Sequence, residues 1–411
     1  MINTFELENG LRIIHSKSPT KVAYCGIAID AGTRDEHKNE YGLAHFCEHM
    51  MFKGTKKRKS WHILNRMESV GGDLNAYTNK EETVVYSAFM NQHLERATEL
   101  ITDIVFNSTF PQHELEKESE VIIEEIESYN DNPSELIFDE FENMIFENHH
   151  LGHDILGNSE RIRNYKSENL KSFVSRLYKP CNMVYFVFGN YDFEYVKKTV
   201  KKYVSLHYYN SENKESNHRK RAKERVEYVV KNKTINKETH QAHVMIGCRA
   251  YSSDDKRRVA LYFLNNIIGG PGMNSQLNVA LREHNGLVYT VESMLTNYTD
   301  SSMFSIYFGC DSKDVEKCLR IVKKELKALM TTPISKTKYE AYMRQIKGQI
   351  GVACDNFENY ALDMAKSYLH YNKFDGIEET FRLLDELSPK ILQEVANDLF
   401  SEDNLSVLIY N

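Results

Sequence analysis

The chain is punctuated twice at one offset. Phe110-Pro111 is answered by Thr332-Pro333, and the apolar stretch beginning at Asn182 (NMVYFVFGN) by that beginning at Asn404 (NLSVLIYN), each 222 residues later. A repeat of this length indicates a duplicated unit. The first half runs through an alternating strand at Val22 to Gly32, a helix, a strand pair across Leu74 to Phe89 and a helix at Asn91 to Val105. Acidic and further helical segments follow, and the half closes on the strand from Asn182. The second half repeats the order with His243 to Tyr251, the apolar helix Arg257 to Gly270, the strands LVYTVESML and MFSIYFGC, and the helix Asp314 to Met330. Antiparallel-looking strands followed by runs of helices read as α+β. The expected organisation is two homologous domains, 1–208 and 240–411, each a mostly antiparallel sheet packed with helices. A polar linker, 209–239, joins them.

One half carries a motif the other lacks. In Gly42 to Thr55, GLAHFCEHMMFKGT, His45 and His49 are four apart with Glu48 between them. At about 100° per residue the two imidazoles sit roughly 40° apart on a helix and can reach one ion. Glu48 falls about 60° to the other side of His45, where it can approach a water without being a ligand. This is the H-x-x-E-H order of the inverted zinc peptidase motif. A catalytic zinc usually has three protein ligands and one open position. The acidic segment Glu116 to Glu127 offers Glu125 as the third, 76 residues after His49. Glu118, seven residues earlier, shares its helical face and is placed to support a ligand. Taken alone, the acidic stretch reads as a solvated helix face.

HFCEH with FKGT, then GGDLNAYT at Gly71 to Thr78, then the carboxylate helix, resembles the pitrilysin family over the whole chain. That family includes insulin-degrading enzyme and the mitochondrial processing peptidases. The resemblance implies a zinc endopeptidase acting on short or unfolded peptides inside a dimeric chamber, with one Zn²⁺ per chain held by His45, His49 and Glu125. It implies Glu48 as general base and Glu118 as supporting carboxylate. Asn75, Ala76, Tyr77 and Thr78 would form a strand on which extended substrate pairs. It further implies that each chain forms half of a clamshell, as a homodimer or as a heterodimer with a related chain.

The helix aligned with the motif helix, RRVALYFLNNIIGG, has no histidine or glutamate, and the position equivalent to Glu125 is Lys347. The second half therefore offers no metal site. Within it, Arg282 and Tyr289 carry no signal by their spacing alone. By resemblance they match the arginine and tyrosine that the family brings to zinc from its second homologous unit, suited to hold a carbonyl and donate to an oxyanion. Gly269, Gly270 and Gly272 lack the frame of a phosphate-binding loop.

A net charge of −7 argues against general nucleic-acid binding, and the basic run HRKRAKER at His218 to Arg225 reads as a solvated part of the linker. Seven widely spaced cysteines without a C-x-x-C pair fit a reducing compartment. No apolar run reaches the roughly 18 residues of a membrane span, and the amino terminus is neither a secretory nor an Arg-rich leader. The expectation is a soluble cytoplasmic protein without membrane or nucleic-acid partners. Cys47, about 200° around the helix from His45, reads as a small core hydrophobe. His149, His150 and His153 read as a solvated loop, with an accessory metal site as the other possibility. The rival functions are a noncatalytic structural or binding subunit, which such relatives become by losing metal ligands, and a redox protein using Cys47.

Overall fold

The computed structural model describes residues 2–204, 226–237 and 239–411; the run His218 to Arg225 lies outside the described residues. In chain order the first half contains β1 (Ile2–Glu6), β2 (Arg12–Lys17), β3 (Val22–Ile29), α1 (Leu43–Met51), α2 (Ser60–Glu68), β4 (Asp73–Thr78) and β5 (Thr83–Met90). It continues with α3 (Leu94–Asn107), α4 (Gln112–Asn130), α5 (Pro133–Ile145), α6 (Ser159–Asn164), α7 (Ser167–Leu177), β6 (Met183–Gly189) and α8 (Phe193–Val204). The second half contains β7 (Asn232–Ile235), β8 (Ala242–Ala250), α9 (Arg257–Gly269), β9 (Val288–Asn297), β10 (Ser302–Cys310) and α10 (Val315–Thr331). After these come α11 (Lys336–Ala353), α12 (Phe357–Tyr371), α13 (Gly376–Asp385), α14 (Pro389–Leu399) and β11 (Ser406–Tyr410).

The duplication is visible in the sheet orders. The first sheet runs β1-β2-β6-β3-β5-β4 and the second β7-β11-β8-β10-β9. With β1 set aside, the two orders coincide strand for strand. Each contains one parallel pair, β2 with β6 and β7 with β11, and is otherwise antiparallel. The α+β, two-unit expectation is the fold observed.

Packing partitions the chain differently from the boundaries read along the sequence. One unit takes the described residues of Met1–Glu127, His153–Ala222 and Cys354–Phe374, and the other those of Ser128–Gly152, Lys223–Ala353 and Asp375–Asn411. Thus α5 belongs to the second unit and α12 to the first, which the continuous spans 1–208 and 240–411 do not capture. The expected linker 209–239 also includes β7, a strand of the second sheet.

The reason is burial on both sheet faces. In β6 every residue is buried: Met183, Tyr185 and Val187 face the core shared with α1, α3 and α7, while Val184, Phe186 and Phe188 face a second core built with Ala361, Met364, Ala365 and Leu369 of α12. A strand apolar on both faces needs a cover on each. In the second unit, Ile137, Phe141 and Ile145 of α5 cover Met245, Leu408 and Tyr410 in the same way. Each covering helix is held at its carboxyl end by an arginine from a strand. Arg12, buried on β2, donates from Nη1 to the Tyr368 carbonyl at 2.7 Å and from Nη2 to the Leu369 carbonyl at 3.1 Å. Arg249 on β8 donates from Nη2 to the Ile145 carbonyl at 2.9 Å. Both arginines supply donors to last-turn carbonyls, of which that of Tyr368 also accepts from the Asn372 N–H at 3.1 Å.

Candidate metal centre

Helix α1 is aimed by its first turn. Gly42 at its N-cap has φ of 90°, a left-handed conformation, and a Cβ there would lie 2.7 Å from the Leu156 carbonyl oxygen. The Glu36 carboxylate, buried, accepts from the backbone N–H of Gly42 at 3.1 Å and of Ala44 at 2.7 Å. A carboxyl group on the first amides of a helix satisfies their orphan donors; burial pushes the Glu36 pKa well up, against the lowering effect of those two amides. His153 Nε2 lies 3.1 Å from Glu36 Oε2, and its ring stacks on Tyr41 with centroids 3.9 Å apart. Leu43, Ala44, Phe46, Cys47, Met50 and Met51 fill the core and turn His45, Glu48 and His49 to the opposite side.

On that side α1 meets α4. Leu115, Ile122, Ile123 and Ile126 bury one stripe of α4, and the seven-residue spacing of Glu118 and Glu125 sets both carboxylates toward the histidines. His45 Nε2 lies 3.9 Å and His49 Nε2 3.7 Å from Glu125 Oε2. One donor atom from each of the three residues falls within 4.8 Å of the others, and among the described residues no other such group of three or more was found. Zinc–nitrogen bonds near 2.0–2.1 Å in a tetrahedron put donors about 3.4 Å apart, so the two histidine–glutamate separations are a few tenths of an ångström wider. Two imidazoles and a carboxylate are also the donor types zinc takes. The residues fit the ion.

Electrostatics support the same assignment. Burial, with the neighbouring His49 charge, pushes His45 down to about 3, leaving it neutral and able to ligate at ordinary pH. Burial acts to lower His49 as well, but the hydrogen bond to Glu118 and the charges of Glu48, Glu118 and Glu125 outweigh it, and its pKa is raised. His49 Nδ1 is 2.9 Å from Glu118 Oε1, which orients the ring so that Nε2 faces Glu125. Glu118 is held on its other oxygen by Lys53, with Nζ to Oε2 at 2.5 Å. Although burial alone would raise Glu118, the contacts with His49 and Lys53 hold it below the usual carboxylate range. The seven-residue pairing of the two carboxylates was legible; the contact of Lys53 with Glu118 was not, because the lysine of FKGT marks the resemblance without saying which carboxylate it meets 65 residues later.

Glu48 sits beside the donors without belonging to the group of three. Burial raises its pKa, opposed by a hydrogen bond from Thr78 and by the His49 charge, while Glu125 adds to the rise. Its Oε2 is buried without a hydrogen-bond partner. Thr78 ends β4, whose alternation sends Leu74 and Ala76 to the core shared with α1 and Tyr77 to the face covered by α12. Among the four residues expected on this strand, Tyr77 therefore has its side chain on the face away from Glu48. Its ring lies 6.5 Å from that of Tyr86. β4 is an edge strand, paired only with β5 among the described residues.

In the second unit, Arg282 lies in a π-helical segment, Asn278–Glu283, and Tyr289 follows at the start of β9. The guanidinium is 5.7 Å from the Tyr289 ring centroid, and Tyr289 is 80% exposed. The position equivalent to Glu125, Lys347, pairs with Asp385 at 2.6 Å. Cys47 is fully buried and its Sγ contacts the Leu170 carbonyl at 3.9 Å, as expected for a core residue. All seven cysteines are thiols. His149 and His153 are buried, which corrects the solvated-loop reading for both; a stacked ring and a buried carboxylate give His153 a structural task that its sequence context does not reveal.

The family model described as Insulinase (Peptidase family M16) matches residues 12–159, and that described as Peptidase M16 inactive domain matches residues 164–346. A Bacillus subtilis protein named uncharacterized zinc protease YmxG is 30% identical over 410 residues, covering 100% of this chain and 98% of that protein. The chain belongs to peptidase family M16. A Rickettsia bellii protein named uncharacterized zinc protease is 32% identical over 409 residues, covering 99% of this chain and 97% of its own. Two solved structures share the fold at a TM-score of 0.90. One is an M16 inactive-domain protein from Pseudomonas fluorescens, 18% identical, covering 100% of this chain and 97% of its own. The other is a protease from Helicobacter pylori, 22% identical, covering 100% and 99%. As an M16 member the chain is a metallopeptidase, and the resemblance read from HFCEH and its companions is the family found. The second match, described as inactive, covers the half in which α9 carries no histidine or glutamate.

Proposed function

We propose that this M16 chain is a zinc-dependent endopeptidase that cleaves short or unfolded peptides, with His45, His49 and Glu125 as metal ligands and Glu48 as general base. The observation that carries the reading is Glu48 Oε2, buried without a partner beside three converging donors. The relatives named zinc proteases support the choice of metal. When bound, zinc polarises the scissile carbonyl and lowers the pKa of a coordinated water toward about 7. Glu48 takes the proton of the attacking water at Oε2 and returns it to the leaving amine. Its raised pKa suits it to both transfers. Thr78 at the end of β4 acts to lower the Glu48 pKa against burial, and Glu118 fixes the His49 ring.

The free edge of β4 offers backbone donors and acceptors to an extended peptide, so Asn75 to Thr78 bind substrate as an added strand and selectivity by side chain is broad. Tyr289 donates to the developing oxyanion and Arg282 holds a substrate carbonyl or carboxylate. The exposure of Tyr289 supports a phenol available to a site outside its own unit. The assembly that uses it is a homodimeric clamshell in which each chain supplies both groups. Metal removal tests the reading: dialysis against a chelator abolishes peptide cleavage and zinc restores it. Glu125→Gln lowers the zinc content of the purified protein; full stoichiometry in that variant would mean that another residue ligates.

A further inference from the structure

The geometry points to Lys53 as a positioning residue for the metal ligand His49, acting through Glu118. This inference rests on the proposed metal centre and adds a residue outside its donor set. Lys53 lies just past the end of α1, where its backbone N–H bonds the Met50 carbonyl at 3.2 Å. Four residues beyond His49, it leaves α1 on the same side and reaches the same carboxylate. Glu118 is divided between the two: Oε1 is 2.9 Å from His49 Nδ1 and Oε2 is 2.5 Å from Lys53 Nζ.

A carboxylate with one donor on each oxygen cannot rotate about its terminal bond without breaking one of the contacts. With Lys53 in place the carboxylate plane is therefore set, and Oε1 receives the Nδ1 proton of His49. That tautomer leaves the Nε2 lone pair directed toward Glu125 Oε2, 3.7 Å away. His45 gives the contrast, because its buried Nδ1 has no hydrogen-bond partner to fix the ring from behind. The orientation of the donor set thus depends on the His49 side, and the Lys53–Glu118 contact is its outermost support. The Lys53 side chain keeps 27% of its surface and that of Glu118 9%. The contact is shielded more than an ordinary surface ion pair, while substitution at 53 leaves the core untouched.

Zinc affinity, measured by competition with a chromophoric chelator, tests this without reference to peptide turnover. Outer partners of metal-bound histidines typically set affinity by about 10–100-fold. Lys53→Met is expected to weaken zinc binding by roughly tenfold or more, and Lys53→Arg to recover most of the loss. In a Glu118→Gln background the same Lys53→Met change is expected to have little further effect. Unchanged affinity in Lys53→Met overturns the inference, and so does an equal loss in the Glu118→Gln background, which would show that lysine acts by another route. Circular dichroism on each variant separates weakened binding from unfolding, and a folded Lys53→Met with intact affinity counts against the role. Failure of the wild type to bind zinc would instead remove the metal centre itself.

Discussion

At the residue scale the site is a set of fixed side chains on one helix and its neighbour. His45, Glu48 and His49 were legible because a helix has only one way to present residues at those spacings. Glu125 was legible only with the family pattern beside it, since an acidic run is ordinarily solvent-facing. Glu36 and His153, which anchor the first turn of α1, were not legible. Their roles arise from chain segments more than a hundred residues apart brought together by packing. Gly42 tests that anchoring. Gly42→Ala places a Cβ at positive φ and against a backbone oxygen, and is expected to cost about 1–3 kcal/mol of stability with reduced zinc retention. A melting temperature equal to that of the wild type would show that the turn relaxes without cost.

At the element scale the strands were well placed by alternation, and what escaped was which helix covers which sheet. The apolar runs of β6 and β10 announce two covered faces, but nothing in the spacing of α5 and α12 says that they have exchanged units. Helix α12 carries its own electrostatic clasp. His370 Nε2 lies 2.9 Å from Glu82 Oε2 and Nδ1 3.6 Å from Asp30 Oδ1, all three side chains buried. Burial alone would lower His370, yet the Glu82 hydrogen bond and the charges of Glu82, Asp30 and Glu81 raise it. A group whose folded pKa lies above its unfolded value contributes fully below the unfolded value and loses that contribution as pH rises through the folded one. His370→Gln is therefore expected to destabilise most below the unfolded histidine value of about 6.5, with the difference in melting temperature shrinking as pH rises through the raised folded value. A difference independent of pH would show that His370 acts by packing alone. Burial opposes the charge of Glu82 too, but His370 and Asn79 hold its pKa low, so its own contribution is lost only as pH falls through that depressed value.

At the scale of the whole molecule the duplication explains why one chain has two similar sheets, while among the described residues only the first unit holds a converging group of donors that could take a metal. The second unit keeps the strand order, and at the position equivalent to Glu125 it has Lys347, paired with Asp385; under the proposed function its part is in substrate binding and assembly. No helix among the described residues is long and apolar enough to cross a membrane. The proposed homodimer makes a specific prediction about mixtures. Glu48→Gln chains and Tyr289→Phe chains, each weak alone, are expected to regain activity when subunits are exchanged, because a mixed dimer holds one intact pairing of Glu48 with Tyr289. A mixture no better than its components would place both groups in one chain or remove Tyr289 from the reaction. The central claim, peptide hydrolysis at His45, His49 and Glu125 with Glu48 as base, is tested most directly by one comparison. Unstructured peptides are incubated with the zinc-loaded wild type and with Glu48→Gln of matched zinc content, and products are located by mass spectrometry. Cleavage by the wild type alone is the expected result; equal cleavage by Glu48→Gln would contradict the account.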